Sequence, residues 1–178
     1  MKLNKEPFLT DRLMKYVIFD LDLTLVDTSC LESYRHQRDW QGAYSNIHRC
    51  SLYPGIQDVF DYIIANNITV SIVSTSPRPY VERIVRYFKI PANYIVAYHD
   101  AKPIKPAPAP MIKAMELMGC SAVSVVAFGD RAIDIKSSKG ASIKSIACTW
   151  GTKEIALLLQ SGPDAVIDMP TKMIEFIR

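Results

Sequence analysis

The chain has 178 residues, a formal net charge of +3, 49% hydrophobic and 22% charged residues. This excludes disorder, collagen and coiled coil as whole-chain descriptions, leaves no room for a second large domain, and allows about 70% of the extended chain's surface to be buried. Lys and Arg are spread along the chain, so charge alone does not point to duplex nucleic acid. The longest apolar runs, such as Ile155 to Leu159, fall far short of the ~18 residues a membrane span needs, and Met1 to Met14 lacks an apolar signal core. A cytoplasmic protein with no membrane partner is the expectation. Cys30, Cys50, Cys120 and Cys148 form no C-x-x-C pair, which predicts buried reduced thiols and no zinc site.

In chain order, Tyr16-Val17-Ile18-Phe19 predicts a buried strand that stops at Asp20 and Asp22. Ser29-Cys30-Leu31-Glu32 fits a capping box, predicting a helix from there through Tyr34, Arg38 and Trp40, with a second around Ala43 to Cys50. Pro54-Gly55 opens a helix whose apolar face is Ile56, Val59, Phe60, Ile63 and Ile64. Ile68 to Val73 is a strand stopping at Ser74-Thr75-Ser76-Pro77, and Val81, Ile84, Val85 and Phe88 mark the helix after it. Tyr94 to Tyr98 is a third strand, followed by a proline-rich stretch holding Lys105 that forbids regular helix until Pro110. A helix through Met111 and Met118, a strand at Val123 to Phe128 and a helix through Ile133 and Ile135 come next. Strands at Ile143 to Cys148 and Ala165 to Ile167, a helix around Ile155 to Leu159 and a last helix from Met173 complete the alternation. It predicts an α/β fold: a three-layer Rossmann-like parallel sheet with helices on both faces. Residues 1–27 and 54–178 form the core, and residues 28–53 form a small helical cap insertion.

The chemically interesting side chains fall after strands, where ligands of open parallel sheets bind: Asp20 and Asp22, then Ser74, then Asp130 and Asp134. A single Asp in such a loop is ordinarily a helix cap or turn former. Five polar strand ends together favour one crevice.

These residues resemble the signatures of the haloacid dehalogenase superfamily, in its phosphoglycolate-phosphatase-like branch with a short cap. D-x-D-x-T stands as Asp20-Leu21-Asp22-Leu23-Thr24. An apolar strand ending in Ser or Thr stands as Ile72-Val73-Ser74, with Thr75 or Ser76 as the alternative if the strand ends later. A Lys before a proline-containing helix start stands as Lys105-Pro106-Ala107-Pro108, and G-D-x-x-x-D runs from Gly129-Asp130 to Asp134.

The resemblance implies a phosphomonoester hydrolase acting through an aspartyl-phosphate, with Asp20 as nucleophile and Asp22 as general acid and base. A carboxylate approaching a phosphate dianion meets roughly 4 kcal/mol of repulsion per unit charge at ~4 Å and an effective dielectric near 20, so a cation must offset about 8 kcal/mol. By resemblance Asp20, Asp130 and the main-chain carbonyl of Asp22 hold Mg²⁺, supported by Asp134. Lys105 and Ser74 or Thr75 bind the substrate phosphate. Arg35, Arg38 and Trp40 of the insertion, with Arg78, are candidate specificity residues. The competing descriptions are Trp40 and Tyr44, spaced i and i+4, packing the insertion onto the core, and solvated or ion-paired arginines.

A small phosphorylated molecule is the expected partner, with a phosphorylated nucleic-acid end or protein as further options. The motifs equally allow a phosphotransferase or phosphomutase. A receiver-like or phosphate-binding module is the non-catalytic alternative.

Overall fold

The computed structural model describes residues 15–178. The first fourteen residues of the expected core segment 1–27 lie outside the described residues. Eight strands and seven α-helices are present among those described: β1 (Tyr16–Phe19), β2 (Val26–Asp27), α1 (Glu32–His36), α2 (Trp40–Ser45), β3 (Ser51–Leu52), α3 (Ile56–Ala65), β4 (Thr69–Val73), α4 (Arg78–Tyr87), β5 (Tyr94–Val96), α5 (Ala109–Met118), β6 (Val125–Gly129), α6 (Ala132–Gly140), β7 (Lys144–Cys148), α7 (Ile155–Gln160) and β8 (Ala165–Ile167).

Six strands form one parallel sheet in the order β5-β4-β1-β6-β7-β8. Val17, Ile18 and Phe19 of β1 are fully buried, since β4 and β6 pair with its two edges and helices cover its two faces. Alternating side chains serve the two layers: Val17 and Phe19 join a cluster with α3 and α4, while Ile18 joins one with α5. The register sets Phe19 beside Ile72 and Phe128, so these three strands end at one level. No described helix is long and apolar enough to cross a membrane.

The structure corrects three details. Ile64 is 62% exposed, although Ile56, Val59, Phe60 and Ile63 are buried as the periodicity requires. At 100° per residue, Ile64 lies about 80° from Ile56 and falls off the stripe. The segment around Met173 is a 3-10 turn series, Pro170–Phe176, rather than an α-helix.

The third correction concerns the insertion. Its expected first helix does not run from Ser29 to Trp40. A 3-10 turn at Ser29–Leu31 leads into α1, which stops at His36, and Arg38 takes a left-handed backbone conformation with φ 57°. Asp39 then caps α2 by accepting from the Gly42 N–H at 2.8 Å. Ser29 caps nothing; its own N–H donates to Asp27 Oδ1 at 3.0 Å. The short antiparallel pair β2–β3 joins the insertion's two ends. Leu31, Ala43, Ile47 and Cys50 are buried in the same apolar cluster as Leu21, Leu25 and Ile56, so the insertion shares the core's packing.

Candidate active site

The sheet delivers the site. Asp20 follows β1 directly, and its N–H donates to the Phe128 carbonyl at 2.9 Å, continuing the β1–β6 ladder by one step. Asp130 follows β6 and Ser74 follows β4, so three neighbouring strands end in polar groups at one edge. Gly129 keeps a space open there: a Cβ on it would lie 2.8 Å from Asp134 Cγ.

Lys105 sits at the centre, with a side chain only 1% exposed. Its ammonium donates to Asp20 Oδ1 at 2.7 Å, Asp134 Oδ1 at 2.6 Å and the Val73 carbonyl at 2.8 Å. All three donor positions are thereby used. Asp134 is held on its other side by the Arg131 N–H at 3.0 Å, and Asp130 Oδ1 accepts from the Thr24 hydroxyl at 2.9 Å. Asp20 Oδ2 is buried with no hydrogen-bond partner among the described residues.

One carboxylate oxygen from each of Asp20, Asp130 and Asp134 lies within 4.8 Å of the others. Burial, only partly offset by Lys105, raises Asp20 to about 6. Burial and the neighbouring Asp20 and Asp134 charges raise Asp130 to about 8. Against burial, which disfavours the ammonium, Asp134 and Asp20 hold Lys105 above its ordinary value. Hard, buried, mutually repelling oxygens, one of them orphaned, are a donor set that fits a divalent cation.

Asp22 stands outside that triad. Its Oδ1 accepts from Arg35 Nη1 at 2.8 Å, Thr28 Oγ1 at 2.8 Å and the Tyr80 hydroxyl at 2.7 Å, and its Oδ2 from Ser76 Oγ at 3.1 Å. Of the four groups that reach Asp22, the charged one is Arg35, a cation from residues 28–53. Tyr80 is fixed by Trp40, whose ring centre lies 5.8 Å from its own.

A cavity of about 850 Å³ opens above these groups. Among the sequence-predicted residues, Asp22, Arg35, Arg38, Trp40, Thr75 and Asp130 line it. Asp20, Lys105 and Asp134 lie beneath, buried. Ser74 is also buried, and its hydroxyl accepts from the Ser76 N–H at 3.1 Å, so Thr75 and Ser76 are the residues after β4 that line the cavity. Arg78 is not in the lining: Asp100 at 2.6 Å, the Ile95 carbonyl at 2.9 Å and Glu82 at 3.3 Å occupy its guanidinium.

Arg131, the residue after Asp130, lines the cavity and donates to Thr75 Oγ1 at 3.2 Å. The sequence reading missed two contributors: Thr24 is part of D-x-D-x-T, yet its bond to Asp130 needs the fold, and Tyr80 carried no local signal. The loop after β7 braces the motif: Trp150 Nε1 donates to the Thr24 carbonyl at 2.9 Å. Gly151 passes so near the Leu23 carbonyl that a Cβ there would collide with it and stand 2.8 Å from the Tyr53 hydroxyl.

The family model for haloacid dehalogenase-like hydrolase matches residues 29–148, two thirds of the chain. The chain belongs to the haloacid dehalogenase-like hydrolases. Relatives include the pyrophosphatase PpaX of Bacillus mycoides, 24% identical over 90% of this chain and 95% of that protein. The phosphoglycolate phosphatase of Pseudomonas fluorescens is 25% identical over 74% of this chain. The chain spans half the length of that phosphatase, and 66% of a further relative from Caldanaerobacter subterraneus. Among solved structures, a predicted phosphoglycolate phosphatase of Haemophilus somnus superposes with a TM-score of 0.82 at 19% identity, covering 95% of this chain and all of that one. CbbY of Rhodobacter sphaeroides in complex with phosphate gives 0.78 at 17% identity, covering 90% and 96%. At these identities the structures show the shared fold.

Proposed function

We propose that this hydrolase is a Mg²⁺-dependent phosphomonoester phosphatase that works through an aspartyl-phosphate on Asp20. The observation that carries the reading is the state of Asp20 beneath the cavity: one oxygen is bound by the buried Lys105 and the other is buried and unpartnered. Lys105 orients the carboxylate through Oδ1, and Asp20 attacks phosphorus. As the bond from Asp20 to phosphorus forms, the bond from phosphorus to the leaving oxygen breaks, and Asp22 supplies that oxygen's proton. Water then attacks the phosphorus, Asp22 takes its proton, and the Asp20–phosphate bond breaks.

Oδ2 of Asp22 is the oxygen suited to carry this proton, since Oδ1 already accepts three hydrogen bonds and Oδ2 one. Asp20, Asp130 and the main-chain carbonyl of Asp22 would hold Mg²⁺, with Asp134 supporting. The ion supplies neutralisation of the phosphate charge. Thr75 and Arg131, bonded to one another at the cavity wall, are placed to bind phosphate oxygens. Residues 28–53 act as the cap.

The substrate is a small molecule with a second anionic group. Arg38 and Lys102 line the cavity, and among the described residues neither has a carboxylate within ion-pair distance. Relatives named for pyrophosphate and phosphoglycolate, and a structural neighbour solved with a xylulose bisphosphate, concern compounds of this kind. The test is release of inorganic phosphate from a panel of phosphorylated metabolites, with Mg²⁺ and with excess chelator. Release that needs Mg²⁺ and favours doubly anionic compounds is expected. Full turnover in chelator would remove the metal assignment. Transfer of phosphate to another hydroxyl without free phosphate would make the protein a phosphotransferase.

A further inference from the structure

Cys30 and Cys50 are separated by twenty positions, yet their sulfurs lie 3.6 Å apart, one thiol donating to the other. Cys30 sits in the 3-10 turn that follows β2, and Cys50 directly precedes β3. The pair therefore bridges the two ends of the insertion beside the β2–β3 pairing that forms its base. The other two cysteines differ. Cys120 Sγ donates to the Met115 carbonyl at 3.8 Å and Cys148 is fully buried, and neither has a thiol partner among the described residues.

We propose that Cys30 and Cys50 form a site of reversible oxidation, whose product is an intramolecular disulfide that staples the base of the insertion. Cys30 is half-buried and is the thiol that a small oxidant such as hydrogen peroxide reaches first. Cys50 is 8% exposed and serves as the resolving thiol. Burial and the adjoining Cys30 thiol push it up to about 12, which keeps it protonated and unreactive toward the oxidant until its neighbour is activated.

In the first step the Cys30 sulfur takes an OH group from peroxide as the O–O bond breaks, giving a sulfenic acid and one water. In the second, the Cys50 sulfur attacks the Cys30 sulfur, the S–S bond forms, the S–O bond breaks, and a second water leaves with the Cys50 proton. Peroxide gains two electrons and each sulfur loses one. The sulfurs must close from 3.6 Å to about 2.05 Å. The loop closed between residues 30 and 50 contains Arg35, Arg38 and Trp40, so the bond fastens the segment that supplies three cavity-lining side chains.

The test uses the full chain, reduced and desalted, then treated with hydrogen peroxide, alkylated and mapped by peptide mass. Two of the four thiols should become unreactive, with a single Cys30–Cys50 cross-linked peptide, a mass loss of about 2 units, and full reversal by dithiothreitol. C120S should behave as wild type, and C50S should form no intramolecular cross-link. Because a disulfide restricts the unfolded chain, Tm of the oxidised protein should rise by a few degrees over the reduced one. Cross-linking of a different pair, cross-links only between molecules, or an unchanged Tm with the bond in place would each overturn the proposal. All these readouts concern the thiols, so they stand whether or not the protein hydrolyses phosphate esters.

Discussion

The ground beneath the cavity and the insertion above it are built by opposite means. Beneath, Asp20, Lys105 and Asp134 come from three remote parts of the chain, are almost fully buried, and hold one another at 2.6 to 2.7 Å. Above, α1 and α2 are single turns of helix interrupted at Arg38, and Arg38 itself is exposed. The buried layer owes its positions to strand ends that cannot shift without breaking the sheet. The insertion owes its own to a few apolar anchors and to polar contacts such as the Lys153–Glu32 ion pair. Chemistry needs fixed groups and substrate choice tolerates adjustable ones, so damage to the lower layer should reduce turnover and damage to the upper should alter selectivity.

The sharpest way to test this division is Asp20→Asn. With Asp20 as the proposed nucleophile, the variant should lose at least a thousandfold in kcat, about 4 kcal/mol, while circular dichroism and Tm stay near wild type. A folded variant keeping a tenth of the activity would break the covalent assignment. Next in size is Lys105→Met, which leaves Asp20 and Asp134 buried without their shared cation. Removing one partner of a buried ion pair typically costs about 3–5 kcal/mol of stability, so chemical denaturation should show a loss in that range together with a hundredfold or greater fall in kcat.

The third measurement uses pH. Asp20 and Asp130 are held in the folded protein at about 6 and about 8, above the 3.8 expected when unfolded. Between those limits the folded state binds more protons than the unfolded one, so the stability of the metal-free protein falls as pH rises. A drop of several degrees in Tm from pH 5 to pH 8 should appear in chelator and shrink when Mg²⁺ is added. A flat profile in chelator would mean that the two carboxylates are less buried than their surroundings indicate.

The smallest effects separate two arginines. Arg38→Ala should raise KM about threefold to thirtyfold for doubly anionic substrates with kcat nearly unchanged, the signature of lost ground-state binding. Arg78→Ala should leave both constants alone and cost no more than about 1 kcal/mol of stability, because its partners Asp100 and Glu82 belong to an exposed ion-pair cluster. Equal kinetic effects from the two would dissolve the distinction between cavity lining and outer surface.

The lower layer was legible in the sequence because each of its parts has a local sign. An apolar run that stops at a carboxylate marks a strand end, as at Phe19-Asp20 and Gly129-Asp130, and Lys105 is confined by flanking prolines. The wall around Asp22 was not legible. Tyr80 lies 58 residues from Asp22, and nothing local in its helix shows that its hydroxyl reaches that carboxylate. The break in the insertion also escaped reading, because it depends on one residue, Arg38, entering the left-handed region that composition does not reserve for arginine. Of the polar residues after β4, the sequence could offer Ser74, Thr75 and Ser76 but not choose among them, since the choice rests on how the turn closes, with the Ser76 N–H on the Ser74 hydroxyl.

Gly151 gives the site a clearance that can be engineered. The loop after β7 and the segment from Asp20 to Thr24 touch backbone to backbone at this point, and the Trp150–Thr24 hydrogen bond clamps them one residue away. An alanine at 151 would act as a shim of one methyl group, driven between two parts that have no slack. The displaced part would be the Leu23 carbonyl, one residue from both Asp22 and the Thr24 that steadies Asp130. Position 151 thereby sets the spacing between Asp22, the proposed proton carrier, and the carboxylates proposed to hold the cation, and a single hydrogen-to-methyl change there tunes both at once.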